Sequence, residues 1–174
     1  MGIFRKTANN NAGESKDEST KGLIDVQIQM DTCQLLEYAL KKLGTSLDKG
    51  EGKNEYFTTF QGERFRIFAA DSYKFIEIQD IGWYEAPLQD INNLSLMRKA
   101  INTCNIQNHV NIVYTIDEDS GMMVLHSLKE AYWSAEIKQI DRYITALFNR
   151  MFQSHHSFFK QMETLRQQEF EKKS

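Results

Sequence analysis

Apolar residues recur along this chain at two periods, and the switches between them divide it into elements. Cys33, Leu36, Leu40 and Leu43 fall on one face at three-and-four spacing, the mark of a helix packed on one side. Asp31 ahead of them is a natural N-cap, and Gln34 three residues on completes a capping-box pair. Gly44, behind Lys41 and Lys42, supplies the stop. These signals predict a first helix from Thr32 to Leu43, followed by a loop over Thr45 to Asn54.

The period then drops to two. Tyr56 to Phe60 is β-branched and aromatic, and Gln61-Gly62 reads as a tight turn. Arg64 to Ala69 alternates, with Phe65 and Ile67 on one side and Arg64 and Arg66 on the other. After Asp71-Ser72, Tyr73 to Ile81 continues the meander, with Ile76 and Ile78 on one face and Phe75 on the other, and Pro87 closes the section. A second helix is predicted from Asp90 or Asn92 to Cys104, with Leu94, Met97, Ile101 and Cys104 as its stripe and Asn105 as a left-handed cap. A hairpin follows, Val110 to Ile116 and Met122 to Leu128, turning at Asp117-Glu118-Asp119-Ser120-Gly121. The last predicted element is a long helix from Ser134 to Arg166, marked by Ile137, Ile140, Ile144, Leu147, Met151 and Phe158. The order α-β-β-β-α-β-β-α with short connections predicts an α+β fold, an antiparallel sheet of about five strands with packed helices.

Ahead of this pattern, residues 1–22 are polar and hold too little apolar surface to offset ordering, so they are expected to form a disordered tail. Gly22 to Gln29 alternates and suits a short strand or an extended lead-in. The remainder, residues 23–170, is expected to be one domain, since 174 residues suffice for one core and are short for two. No apolar run approaches the roughly 18 residues of a spanning helix, and no signal peptide can be drawn. That predicts a cytoplasmic protein with no membrane partner.

The bulk numbers narrow the function classes. A net charge of −3 and a pI near 5.8 argue against a general nucleic-acid binder, which needs a basic face. Arg64, Arg66 and Lys74 with Phe57, Tyr73 and Phe75 resemble a single-strand-binding sheet, but Glu63, Glu77 and Asp80 dilute the charge. Cys33 and Cys104 are expected to be reduced, buried helix positions; a disulfide between them is the alternative.

No reactive constellation emerges. His155-His156 are adjacent and so point about 100° apart on a helix, where a metal pair needs three-or-four spacing. The acidic hairpin tip has Gly121 and Leu128 where a calcium loop needs a fifth-position ligand and a final Glu. Gly50-Glu51-Gly52-Lys53-Asn54 lacks the spacing and the preceding strand of a phosphate loop. No nucleophile elbow is present, and Glu77 and Asp80 read as an exposed strand end. The expectation is a non-enzymatic protein with no cofactor and no metal.

Aromatic excess is the strongest functional signal. The last helix carries more large rings than one sheet face buries, and beyond Met151 it is expected to outrun the sheet. Phe158, Phe159, Met162 and Leu165 then require a partner, with Trp83, Tyr84, Tyr132 and Trp133 as a rim of the same surface.

The stretch Arg98-Lys99-Ala100-Ile101-Asn102-Thr103-Cys104-Asn105, with the acidic hairpin turn and the long terminal helix, resembles the bacterial YbjN-like family and the type III secretion chaperone-like fold. The resemblance spans Met30 to Gln168. It implies a protein-binding module, because its members are described as candidate sensory-transduction regulators and the related secretion chaperones are dimers that hold unfolded client segments. It carries over no catalytic residue. The implied function is a chaperone-like adaptor or regulator acting on a protein client or regulatory partner as a homodimer. The alternatives are a small-molecule or metal-binding sensor and a nucleic-acid-binding sheet.

Overall fold

The computed structural model describes residues 30–172. The expected tail over 1–22 and the strand or lead-in at 22–29 lie outside the described residues. From there the elements run α1 (Thr32–Lys42), β1 (Asp48–Lys49), β2 (Glu55–Phe60), β3 (Glu63–Ala69), β4 (Phe75–Pro87), α2 (Ile91–Gln107), β5 (Asn111–Asp117), β6 (Met122–Tyr132) and α3 (Ile140–Glu171). The six strands form one antiparallel sheet in the order β1-β2-β3-β4-β6-β5. The fold is α+β, as the pattern predicts, with a two-residue strand β1 inside the segment expected to be a loop.

Local chemistry accounts for the element ends. Asp31 Oδ1 accepts from the Gln34 N–H at 2.8 Å while Gln34 Oε1 accepts from the Asp31 N–H at 3.2 Å, the predicted capping box. Gln61 and Gly62 both have positive φ, 52° and 89°, the paired geometry that lets a two-residue hairpin follow the strand twist. At the other hairpin Asp117 accepts from the N–H groups of Asp119 and Ser120 and from the Ser120 hydroxyl at 2.7 Å. That hydroxyl bond is the main reason its carboxyl sits below the ordinary range. The acidic tip is therefore a self-capped turn.

The helices all pack on one face, and the core has two parts. The first joins Leu35, Leu36 and Leu40 of α1 to Phe65, Ile67, Ile76 and Ile78 of the sheet and to Ile144, Leu147, Phe148 and Met151 of α3. The second joins Leu96, Met97, Ala100, Ile101 and Cys104 of α2 to Ile112, Met123 and Leu125 and to Phe158 and Met162 of α3. Helix α3, at 32 residues, is about 48 Å long and belongs to both.

This overturns the expectation that α3 outruns the sheet beyond Met151. Strands β4 and β6 are 13 and 11 residues long and continue past the end of β3, giving the second half of α3 a platform that α2 flanks. The helix also starts later than predicted. Ser134 to Gln139 is a turn, and Gln139 enters α3 with φ 57°.

Two further corrections concern single residues. Asn105 is not a left-handed cap: α2 continues to Gln107, and its cap is Asn108 in an extended conformation. The Asn105 side chain instead clamps β5, accepting from the Ile112 N–H at 2.8 Å and donating to the Ile112 carbonyl at 2.9 Å. Cys33 is half-buried, its sulfur 3.1 Å from the Tyr56 hydroxyl, whereas Cys104 is buried as expected. Both are free thiols.

The Asn105 clamp satisfies both backbone groups of a buried residue, so its loss leaves them unpaired. Asn105→Ala is expected to lower stability by about 2–3 kcal/mol, read as a shifted urea midpoint at unchanged m-value.

Candidate protein-binding surface

Of the eight predicted surface residues, Tyr132 is exposed and lies 5.6 Å from Phe75 on the helix-free face, and the other seven fall in three environments. Phe158 and Met162 are core, 0% and 3% exposed, filling the second cluster with α2. Trp133 is also core, 1% exposed, and belongs to the first cluster beside Tyr143, far along the sheet from the others. These three are corrections to the docking surface expected from sequence. They are consumed by the longer platform of β4 and β6 and by the turn that follows β6. Trp83, Tyr84 and Leu165 are half-buried, and Phe159 is 47% exposed.

Trp83 and Tyr84 do not flank a strand end. They lie within β4 at an irregularity: Ile81 pairs with His126, and the next paired residue, Tyr84, faces Leu125. Two extra residues, Gly82 and Trp83, are thereby pushed out of register, and Gly82 takes φ 74°, where a side chain would be strained. Its N–H donates to His126 Nδ1 at 3.2 Å, and His126 Nε2 lies 2.9 Å from the Thr115 hydroxyl, so the imidazole props the bulge from β6 to β5. Because β3 does not reach this far, Trp83 and Tyr84 stand on a stretch of β4 that has a strand neighbour on the β6 side alone. There α3 covers them: Trp83 lies 5.4 Å from Phe158 and 6.0 Å from Phe159, and Tyr84 lies 5.4 Å from Phe159, centroid to centroid. Sequence groups Trp83 and Tyr84, as a strand-end rim, with Phe159; it is the bulge within β4 that brings the three rings together.

A polar seam runs beside this aromatic group, between the two halves of the core. Asp80 and its cross-strand partner Ser127 are buried, as is Ser154 of α3, whose hydroxyl donates to the Met151 carbonyl at 2.7 Å. His155 Nε2 approaches Asp80 Oδ2 to 3.5 Å without hydrogen-bond geometry, and its ring stacks on Trp83 at 4.1 Å. His156, its neighbour, faces water. Burial, with a smaller contribution from Glu63, pushes the Asp80 carboxyl up to about 6, and burial pushes the His155 imidazole down to about 4. Among the described residues no group of three or more His, Cys, Asp or Glu is placed to hold a metal ion.

A second surface lies where sequence gave no signal. Helix α2 packs on β5 at Ile112 and leaves the inner side of the later part of this outermost strand, at Tyr114 and Ile116, partly open. The resulting groove of about 690 Å³ is lined by Leu88, Ile91 and Leu94 on one side, Tyr114 and Ile116 on the other, with Arg98 at its rim. Ile91, Ile106, Val113, Tyr114 and Ile116 are five of the ten large apolar side chains exposed among the described residues. Half of the exposed apolar groups thus lie on two adjacent elements, and Ile91, Tyr114 and Ile116 of these line the groove. The signal was hidden because helix periodicity marks the buried stripe of α2 and says nothing of an apolar residue on its opposite face.

The sequence matches no family model, and no curated protein matches it. Among solved structures, the chain is similar to YbjN from E. coli, a candidate transcription regulator, at 16% identity over 76% of this chain and 90% of that chain, with a TM-score of 0.44. It is also similar to the HopA1-SchA chaperone-effector complex, at 14% identity over 74% of this chain and 91% of that chain, with a TM-score of 0.42. These are the two groups that the sequence resembles. No helix among the described residues is long and apolar enough to cross a membrane.

The seam makes a pH prediction with opposed signs. Asp80 has a folded pKa above its unfolded one, so it adds stability as pH falls from about 6 to 3.8. His155 has a folded pKa below its unfolded one, so it removes stability as pH falls from 6.5 to about 4. Asp80→Asn is expected to lose more stability than wild type between pH 6.5 and 4, and His155→Gln less. Denaturation midpoints measured across that window check both, and parallel curves for all three proteins would contradict the seam's titration.

Proposed function

We propose that this chain is a non-enzymatic protein-binding module, a chaperone-like adaptor or regulator that acts as a cytoplasmic homodimer. One observation carries the reading: Ile91 of α2 and Tyr114 and Ile116 of β5, all exposed apolar side chains, line one groove at an open sheet edge. A soluble monomer rarely leaves such a patch uncovered. An outermost strand offers unpaired N–H and C=O groups to a neighbour, and natural proteins usually blunt it with charge, proline or a bulge. Strand β5, Asn-Ile-Val-Tyr-Thr-Ile-Asp, carries none of these before its last residue, and the Asn105 clamp occupies the edge only at Ile112. A second copy meeting this edge two-fold buries the patch on both chains at once.

The client surface we assign to the half-exposed aromatic group Trp83, Tyr84 and Phe159 with Leu165. Rings already held by stacking lose little freedom on binding, which suits contact with apolar segments of varied sequence. The α2–β5 face and this group are separate, so self-association and client holding are separable.

Light scattering behind size-exclusion chromatography is expected to give about twice the 20.3 kDa chain mass for wild type. Ile116→Lys should raise the dimer dissociation constant at least tenfold, about 1.4 kcal/mol, and leave the melting temperature of the separated chain unchanged. Phe159→Asp should keep the dimer and the fold while weakening suppression of aggregation of a chemically unfolded client protein. A wild type that is monomeric at tens of micromolar and holds no client removes the reading.

A further inference from the structure

The face of the sheet that carries no helix has a hollow of about 510 Å³ near the β3–β4 turn. Phe68, Tyr73 and Phe75 wall it, and Glu77 and Glu130 line it. Phe75 lies 5.3 Å from Tyr73, so two of the walls form one continuous aromatic surface. Glu77 and Glu130 are direct partners across β4 and β6, a placement in which like charges repel and the sheet is weakened. Glu77 accepts a hydrogen bond from Gln79, which leaves its charge uncompensated. Neither carboxylate has a Lys, Arg or His nitrogen within 4.0 Å among the described residues. The nearest guanidinium on this face, Arg66, is already engaged, paired with Glu55 and lying 4.5 Å over the Phe68 ring. Lys53 lines the mouth and is exposed.

We infer that this hollow binds a cationic side chain of a partner polypeptide, an arginine in the first place. Two carboxylates facing each other across adjacent strands match the two-pronged donor set of a guanidinium, and aromatic walls attract its planar face. Filling the hollow with a cation also relieves the Glu77–Glu130 repulsion, so binding recovers stability that the empty site forgoes. The inference deepens the protein-binding reading, on which it rests, by naming the chemistry of one partner group. It concerns the opposite sheet face from Trp83 and Phe159 and makes no use of the α2–β5 edge.

The test is an NMR titration of the full chain with a short arginine-containing peptide, against the same peptide carrying citrulline. The arginine peptide is expected to shift the backbone amides of Phe68, Phe75, Glu77 and Glu130, with little effect from citrulline. Glu77→Gln/Glu130→Gln should weaken binding at least tenfold and melt at or above the wild-type temperature, and Glu130→Gln alone reports if the double variant is unfolded. Glu118→Gln/Asp119→Asn at the hairpin tip should bind as wild type. Equal binding by wild type and the carboxylate variant, equal loss in the hairpin-tip variant, or no binding at all overturns the inference. Each of these outcomes leaves the oligomeric mass and client-holding results untouched, so the two failures are distinguishable.

Discussion

Everything in this fold depends on the pairing of β4 with β6. It is the one seam that runs the full length of the sheet, from Phe75 and Tyr132 at one end to Pro87 and Met122 at the other. On one side it supports the meander of β1 to β3, and on the other the β5–β6 hairpin. Because the pairing of β3 with β4 begins at Phe65, opposite Asp80, and runs back to Ala69, opposite Ile76, the far half of β4 has no neighbour on that side. The bulge at Gly82-Trp83 falls where the support of β3 ends, and it turns a tryptophan and a tyrosine toward the helix layer at that point.

Helix α3 is the complement of that long seam. Its first half closes the core made by α1 and the meander, and its second half closes the core made by α2 and the hairpin. Between them the helix presents Ser154 and His155 to Ser127 and Asp80. A polar band inside an apolar interface weakens it, since these groups are incompletely satisfied. It also divides the interior into two apolar volumes, each with its own helix pair.

Much of this architecture was legible. The capping box at Asp31 and Gln34, the Gln61-Gly62 turn, the alternation through Phe65 and Ile67 and the order of elements are local signals, and local signals survive folding. What was illegible depends on contacts distant in sequence. The late start of α3 depends on Gln139 taking positive φ, which periodicity does not reveal. The burial of Phe158 and Met162 depends on β4 and β6 being longer than their alternating stretches, because Trp83-Tyr84 breaks the pattern at the bulge. Asn105 looked like a cap because asparagine often is one; its actual role needs Ile112, seven residues on. Of the expected surface, Phe159, Leu165, Trp83 and Tyr84 keep some exposure, while the groove beside β5 had no sequence signature at all.

The polar band has one more consequence, for sliding. A packed helix can change state by slipping a full turn, about 5.4 Å, along its neighbour. Here such a slip would carry His155 and Ser154 off Asp80 and Ser127 and set Met151 or Phe158 against the Asp80 carboxyl. Both half-interfaces would be spoiled by a single step. The band therefore acts as an index mark that admits one axial setting of α3, and the long helix ties the two halves of the protein together as a rigid strut with a fixed register.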